Sequence, residues 1–109
     1  MIAAFTRWDL YRNAMLRFME GYDALVSPVA PWPAPTHGAT FEPAMLRGFA
    51  YTMMHNLTGY PSTAVRVAAS PEGLPIAIQV AARPWREDVS LALARQLEND
   101  FGGFRPPAL

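Results

Sequence analysis

The sequence predicts an α/β fold whose elements follow the order helix, strand, helix, antiparallel hairpin, helix. Apolar residues recur at three- and four-residue spacing near both ends of the chain, the period of an amphipathic helix. In two segments of the second half they alternate with polar or small residues, the period of a strand. The chain has 109 residues, 51% hydrophobic and 17% charged, so we predict one globular domain over residues 1–109.

The first half of the chain contains one predicted helix and one predicted strand. The helical period covers residues 5–19 with Gly21 just beyond, and we expect its apolar stripe to pack against a core. The apolar run at residues 24–27 predicts a short buried strand. Residues 29–40 form the loop after it, because their prolines cannot donate ladder hydrogen bonds. A long ordered loop after a strand often lies over a binding cleft.

The second half contains the hairpin between two helices. Residues 43–57 favour a helix that ends at a Thr-Gly-Tyr-Pro sequence. Strand alternation over residues 62–69 and 76–80, with a Ser-Pro-Glu-Gly turn between them, predicts the antiparallel hairpin. Residues 87–101 form the last helix, with two acids in its first turn and two glycines at its end. The tail at residues 105–107 is predicted to be extended.

Composition excludes several classes of function. Nine acidic residues balance nine basic ones, so no net field attracts nucleic acid or an anionic membrane. All nine basic residues are arginine, which leaves no lysine for base or Schiff-base chemistry. The chain has no cysteine and no stretch near the ~20 apolar residues of a membrane span. We expect a cytoplasmic chain with no membrane or nucleic-acid partner.

Serine, histidine and acidic residues do not form a recognisable catalytic or metal-binding pattern. None of the serines lies in a glycine-flanked elbow. The two histidines have no acid at triad spacing, and with Glu42 they lack the spacing of a metal site. The candidate side chains are those of Ser27, Ser62, Ser70, Ser90, His37 and His55. We therefore predict no catalytic residue, no metal and no cofactor in this chain.

Gln79 is the polar residue that stands out within a predicted strand. It alternates with Ile78 and Val80, so it shares a face with Ala77 and Ala81. Small neighbours imply close packing, and a buried amide must find hydrogen-bond partners. We expect those partners to be inside the fold rather than on a substrate.

Four segments, in order, resemble the C-terminal region of the amidase signature family. Residues 22–28 (YDALVSP) with the prolines after them resemble the family's "yDvLltPt" strand and loop, and residues 56–61 (NLTGYP) resemble its "NltGlPa" segment. Residues 70–79 (SPEGLPIAIQ) resemble "GLPiGlQ" with its hairpin, and Arg83-Pro84 with Glu87 and the last helix resemble "grpf.E..lL..A...E". The chain departs from the family at Ala77 and Ala82, where glycine is usual, and at residues 63–66.

The resemblance implies part of a mixed-sheet α/β fold in an enzyme that hydrolyses amide carbon–nitrogen bonds with a Ser-cisSer-Lys triad. In the family all three residues belong to an upstream glycine- and serine-rich signature, so no triad role falls on a residue of this chain, and the chain alone is expected to be inactive. The loop after the Tyr-Asp strand is expected to face the substrate cleft, with Pro31, Trp32 and Pro33 as wall residues. A rigid surface connector is the other interpretation of that loop.

The resemblance also implies a partner, because the triad must come from elsewhere. The chain is then one partial domain that an N-terminal catalytic part or a partner chain completes. The alternative is a non-catalytic remnant that serves as a small scaffold or an oligomerising module, with its exposed sheet edge paired to a partner or to another copy. Either interpretation predicts self-association or marginal stability when the chain is isolated.

Overall fold

The computed structural model describes residues 2–106, and it confirms the mixed α/β fold and the predicted order of its elements. The elements, in order, are α1 Ile2–Phe18, β1 Ala24–Pro28, α2 Pro43–Leu46, α3 Ala50–Thr58, β2 Ser62–Ala69, β3 Pro75–Ala82 and α4 Glu87–Phe101. Short 3-10 turns follow α1 and flank α2. None of the helices in this part of the chain is long and apolar enough to cross a membrane.

The three strands form one antiparallel sheet in the order β1-β3-β2. β2 and β3 make the predicted hairpin, and β1 pairs along the other side of β3 with Val26 opposite Val80. The hairpin turn is closed by the Ser70 N–H, which donates to the Leu74 carbonyl at 2.8 Å. Gly73 has a φ of 87°, which explains glycine at that position. β3 is therefore the central strand.

The segment predicted as one helix over residues 43–57 is broken in two. α2 is a single turn, and a 3-10 turn at Arg47–Phe49 separates it from α3. Gly48, in that turn, lies against Trp32 of the proline-rich loop. α3 ends at Gly59, whose φ is 73° and whose N–H donates to the His55 carbonyl at 2.8 Å. The break lets the chain pack closely against the loop.

The apolar stripe of α1 does not pack as the sequence analysis expected. No residue of α1 is buried, and only Met15 and Leu16 pack partly against the core. The helix lies on α3, where the Trp8 indole N–H donates to the Leu57 carbonyl. Phe5 remains 55% exposed. The helical period identified the element correctly, but the expected burial is wrong for most of the stripe.

The core is small and the molecule is flat. Its centre is formed by Met19, Tyr60 and Ala81, with Leu25 packed beside them. The principal extents are 50 × 35 × 17 Å and the radius of gyration is 15.9 Å. A compact domain of this length has a radius of gyration of about 13 Å. The chain is therefore a thin slab that leaves large apolar side chains uncovered.

Candidate functional site

An apolar cavity lies between the proline-rich loop, the α2–α3 region and the start of β3. Its volume is about 450 Å³, which is within the size range of small-molecule sites. The lining residues are Val29, Ala30, Pro31, Trp32, Pro33, Ala34, Pro35, Thr40, Met45, Gly48, Phe49, Thr52, Pro75, Ile76 and Ala77. None of them carries a charged side chain. The cavity is chemically suited to an uncharged, largely apolar group.

The structure brings the three predicted wall residues together in this cavity. Pro31, Trp32 and Pro33 all line it. Trp32 is 37% exposed, and its position depends on Gly48, since a Cβ there would lie 2.9 Å from Cζ2 of the indole. This part of the loop therefore lines the cavity together with Gly48.

The opposite wall was not predicted from the sequence. Phe49 and Thr52 come from the 3-10 turn and α3, and Ile76 comes from β3. In the sequence these residues belong to a helical period and a strand alternation. Both patterns predict which side of an element is buried, but not which other segment packs against it. The one local signal in the sequence is Gly48, which lies inside the helical pattern. Glycine is tolerated within a helix, so it did not by itself predict that the helix breaks there to pack against another segment.

Gln79 ties together the elements on which the cavity is built. Its side chain is 4% exposed, and its amide Nε2 donates to the Ser27 hydroxyl at 3.1 Å, the Pro28 carbonyl at 3.0 Å and the Tyr51 carbonyl at 2.9 Å. The Ser62 hydroxyl donates to Oε1 at 3.4 Å. These contacts join β1, α3, β2 and β3. The expectation that this amide is satisfied inside the fold is confirmed.

The serines that were considered as nucleophiles have structural partners. Ser27 and Ser62 belong to the Gln79 contacts. The Ser70 hydroxyl accepts the Leu74 N–H at 3.3 Å within the hairpin turn. Ser90 is fully buried, and its hydroxyl donates to the Val80 carbonyl at 2.8 Å and lies 2.7 Å from the Thr63 hydroxyl. None of these hydroxyls bonds a histidine within residues 2–106.

The histidines do not converge on a metal. Among the described residues, no group of three histidine or acidic side chains could hold a metal ion. His37 is exposed in the loop, whereas His55 is 6% exposed and neither of its ring nitrogens has a hydrogen-bond partner. The Tyr60 hydroxyl is also buried without a partner. Burial lowers the pKa of His55, and burial followed by the nearby Tyr11 raises the pKa of Tyr60.

Comparison with known proteins assigns the chain to a family. The family model described as Amidase matches residues 1–91. The chain belongs to the amidase family. It is 36% identical to a glutamyl-tRNA(Gln) amidotransferase subunit of Wolinella succinogenes over 94 residues, which cover 85% of this chain and 21% of the relative. It is also 42% identical to fatty-acid amide hydrolase 2-A of Danio rerio over 59 residues, which cover 54% and 11% respectively.

A solved structure agrees with the amidase assignment. The fold is similar to 6-aminohexanoate cyclic dimer hydrolase with a TM-score of 0.82 and 26% identity. The match covers 92% of this chain and 24% of that chain. The chain spans about a fifth of the length of the curated relatives it matches. Its conformation is therefore that of one segment within a larger amidase fold.

The two alanines that replace glycines usual in the amidase family lie in ordinary backbone. Ala77 pairs with Arg66, beside the register shift on β2, and Ala82 pairs with Ala24 at the end of the β1–β3 ladder. Neither has a positive φ, because the only non-glycine residue with one in the described part of the chain is Trp85. A methyl group at these positions therefore causes no backbone strain.

His55 gives the fold a pH dependence whose sign follows from its burial. The folded state favours the neutral imidazole, so the unfolded chain, with a pKa of about 6.5, binds the proton more readily. We expect the free energy of unfolding to be undiminished above that pH and to fall as the pH decreases below it. Urea denaturation between pH 5 and 8 measures this slope.

A histidine variant separates His55 from other titrating groups. His55→Leu is expected to flatten the slope below about pH 6.5, because it removes the buried imidazole that the unfolded chain would protonate. An unchanged slope in the His55 variant would contradict the assignment of this pH dependence to the buried imidazole.

Proposed function

We propose that this chain is the C-terminal part of an amide hydrolase and supplies one wall of its substrate cleft. The supporting observation is the uncharged cavity of about 450 Å³, built by the loop that follows β1. Pro31, Trp32 and Pro33 are the proposed substrate-contacting residues. They would receive the apolar part of an amide, while the carbon–nitrogen bond would lie toward the part of the enzyme outside this chain.

In this proposal the catalytic groups belong to the complementary part of the enzyme. An amidase triad needs a lysine, and this chain has none. The serines within it are committed to hydrogen bonds that hold the sheet and the turn. The complementary part, whether on the same polypeptide or on a partner chain, would provide the nucleophile, its base and the oxyanion donors. No cofactor is required, and the cytoplasm is the proposed setting.

Trp32 supplies the test of the cleft wall. Benzamide and hexanamide are expected to bind the purified chain with a Kd on the order of 1 mM, because each fills only part of the cavity. Binding is followed by the tryptophan fluorescence and by chemical-shift changes at Gly48 and Thr52, which line the same cavity. Trp32→Ala is expected to raise Kd at least about tenfold, since it removes the largest apolar wall.

Trp85 provides the matched control. It is 88% exposed and does not line the cavity, so Trp85→Ala is expected to leave Kd unchanged. Equal binding by wild type and Trp32→Ala would contradict the proposed wall. Turnover of either amide by the chain alone, with labelling of one of its serines by a serine-reactive probe, would contradict the location of the chemistry. Absence of amide binding would favour the non-catalytic scaffold.

A further inference from the structure

Gly48 differs from the other glycines of the chain in what its missing side chain makes possible. All seven glycines lie within residues 2–106, and five of them have a positive φ, which a residue with a side chain rarely adopts. Those five are Gly38, Gly59, Gly73, Gly102 and Gly103. A Cβ at Gly21 would meet nothing within 4 Å. Gly48 is the glycine that combines the absence of a positive φ with a crowded Cβ position.

The crowding at Gly48 comes from the loop that forms the cavity wall. A Cβ there would lie 2.9 Å from Cζ2 and 3.4 Å from Cε2 of the Trp32 indole, and 3.3 Å from Cδ of Pro31. Carbon atoms that are not bonded to each other pack at about 3.5–4.0 Å. All three neighbours are side-chain atoms, so a side chain at residue 48 would displace the indole and not a backbone segment.

The backbone around Gly48 is compatible with a residue that has a side chain. Leu46 has φ −58° and ψ −31°, and Ala50 has φ −56° and ψ −33°, which are right-handed helical angles. Alanine is favoured over glycine in a helical segment. The backbone therefore does not account for glycine at residue 48, whereas the contact with Trp32 does.

This contact fixes one wall of the cavity. Gly48, Pro31 and Trp32 all line the cavity, and Gly48 is buried. The proline and indole rings have few rotatable bonds, so a wall that rests on the Gly48 backbone keeps its shape. A group that fits such a wall loses its contacts when the wall is displaced by less than 1 Å, on the order of the distance over which dispersion attraction weakens.

We propose that Gly48 is a specificity-determining residue of the cavity, because it sets the position of the Trp32 indole. The inference rests on the proposed function, in which the cavity receives the apolar part of an amide. With glycine at residue 48, the cavity selects among amides by the shape of that part. A flexible chain can follow a displaced wall by changing its torsion angles, whereas a planar ring cannot. The position of the wall therefore matters most for amides that carry a rigid ring.

Gly48→Ala tests this role with two amides of different rigidity. Binding of benzamide and of hexanamide to the purified chain is followed by chemical-shift changes at Thr52, which lines the same cavity. The substitution is expected to raise the Kd of benzamide at least about tenfold and the Kd of hexanamide no more than about threefold. The ratio of the two Kd values is thus expected to change at least about threefold.

The ratio separates a change in the wall from a loss of stability. If a variant is partly unfolded, the competent fraction falls, and both Kd values rise by the same factor. Gly21→Ala is the matched control, because it adds the same methyl group where a Cβ meets nothing within 4 Å and where φ is not positive. It is expected to leave both Kd values unchanged.

A second substitution restores space for the added methyl group. Phenylalanine lacks the outer ring of the indole, which contains Cζ2, so Trp32→Phe relieves the contact with a Cβ at residue 48. In the wild-type background Trp32→Phe is expected to raise the Kd of benzamide, because it removes part of the wall. In the Gly48→Ala background it is expected to lower that Kd at least about threefold. Opposite signs in the two backgrounds identify a direct contact.

The outcomes distinguish this inference from the proposed function. If wild type binds both amides and Trp32→Ala weakens binding, an unchanged ratio in Gly48→Ala overturns the role of Gly48 and leaves the cleft wall in place. If wild type binds neither amide, the proposed function fails and this inference fails with it. Should Gly48→Ala not fold by circular dichroism, folding of the double variant supports the contact. Failure of both to fold overturns it, because the backbone would then exclude any side chain at residue 48.

Discussion

Replacing Gln79 with Glu is expected to lower the free energy of unfolding by about 3 kcal/mol. This value is the upper end of the cost of leaving a buried polar group without a hydrogen-bond partner. The change keeps the shape of the side chain but replaces the amide that donates to three oxygen atoms by an acceptor-only carboxylate. The carbonyls of Pro28 and Tyr51 then face a buried negative charge. In a domain of this size such a loss lowers Tm by more than about 10 °C.

Ser62 provides the control for this prediction. Ser62→Ala removes only the hydrogen bond from the Ser62 hydroxyl to Oε1 of Gln79. That bond is long, at 3.4 Å, and Ser62 is exposed. Its expected cost is below about 1 kcal/mol. Urea denaturation of both variants, followed by circular dichroism, compares them directly. If Gln79→Glu unfolded at the midpoint of Ser62→Ala, the amide contacts would not be the main connection between β1, α3 and β3.

The hairpin and the last helix could be predicted because their signals are local. Alternation and a glycine turn define β2 and β3, and the turn's Gly73 has the positive φ that glycine permits. The acids Glu87 and Asp88 mark the start of α4, which begins at Glu87 as predicted. These features depend on residues close in the sequence. They need no knowledge of what the elements pack against.

The sheet order and the burial of α1 could not be predicted, because both depend on distant residues. Nothing in residues 24–28 indicates that β1 pairs with β3, with Val26 opposite Val80. The helical period of α1 shows an apolar face but not what covers it. In this structure α3 covers only part of that face, and Phe5 remains largely exposed.

The candidate site was predicted in part, and through resemblance rather than periodicity. Proline and glycine predict an ordered loop, and the resemblance predicts that Pro31, Trp32 and Pro33 face the cleft. The opposite wall depends on the close approach of Gly48 to Trp32, which joins segments that are separate in the sequence. Gln79 was recognised as buried and internally bonded, but its partner in α3, the Tyr51 carbonyl, belongs to another element.

Met19 lies at the centre of the small core, in the 3-10 turn that follows α1. It is fully buried and contacts Tyr60 and Ala81, so one side chain joins that turn to the sheet and to the end of α3. Few other large side chains in the described part of the chain are fully buried. A flat domain with so small a core is expected to have a low free energy of unfolding.

Replacing Met19 with Ala is therefore expected to cost about 3 kcal/mol, the sum of lost burial and a cavity that cannot collapse between β1 and α3. Met53→Ala is the matched control, because Met53 is 53% exposed on α3, and its expected change is within about 0.5 kcal/mol. Thermal unfolding by near-UV circular dichroism compares the two variants. Equal midpoints would contradict a main role in stability for the cluster of Met19, Tyr60 and Ala81. Loss of the near-UV signal at a lower temperature in Met19→Ala alone would establish that cluster as the core.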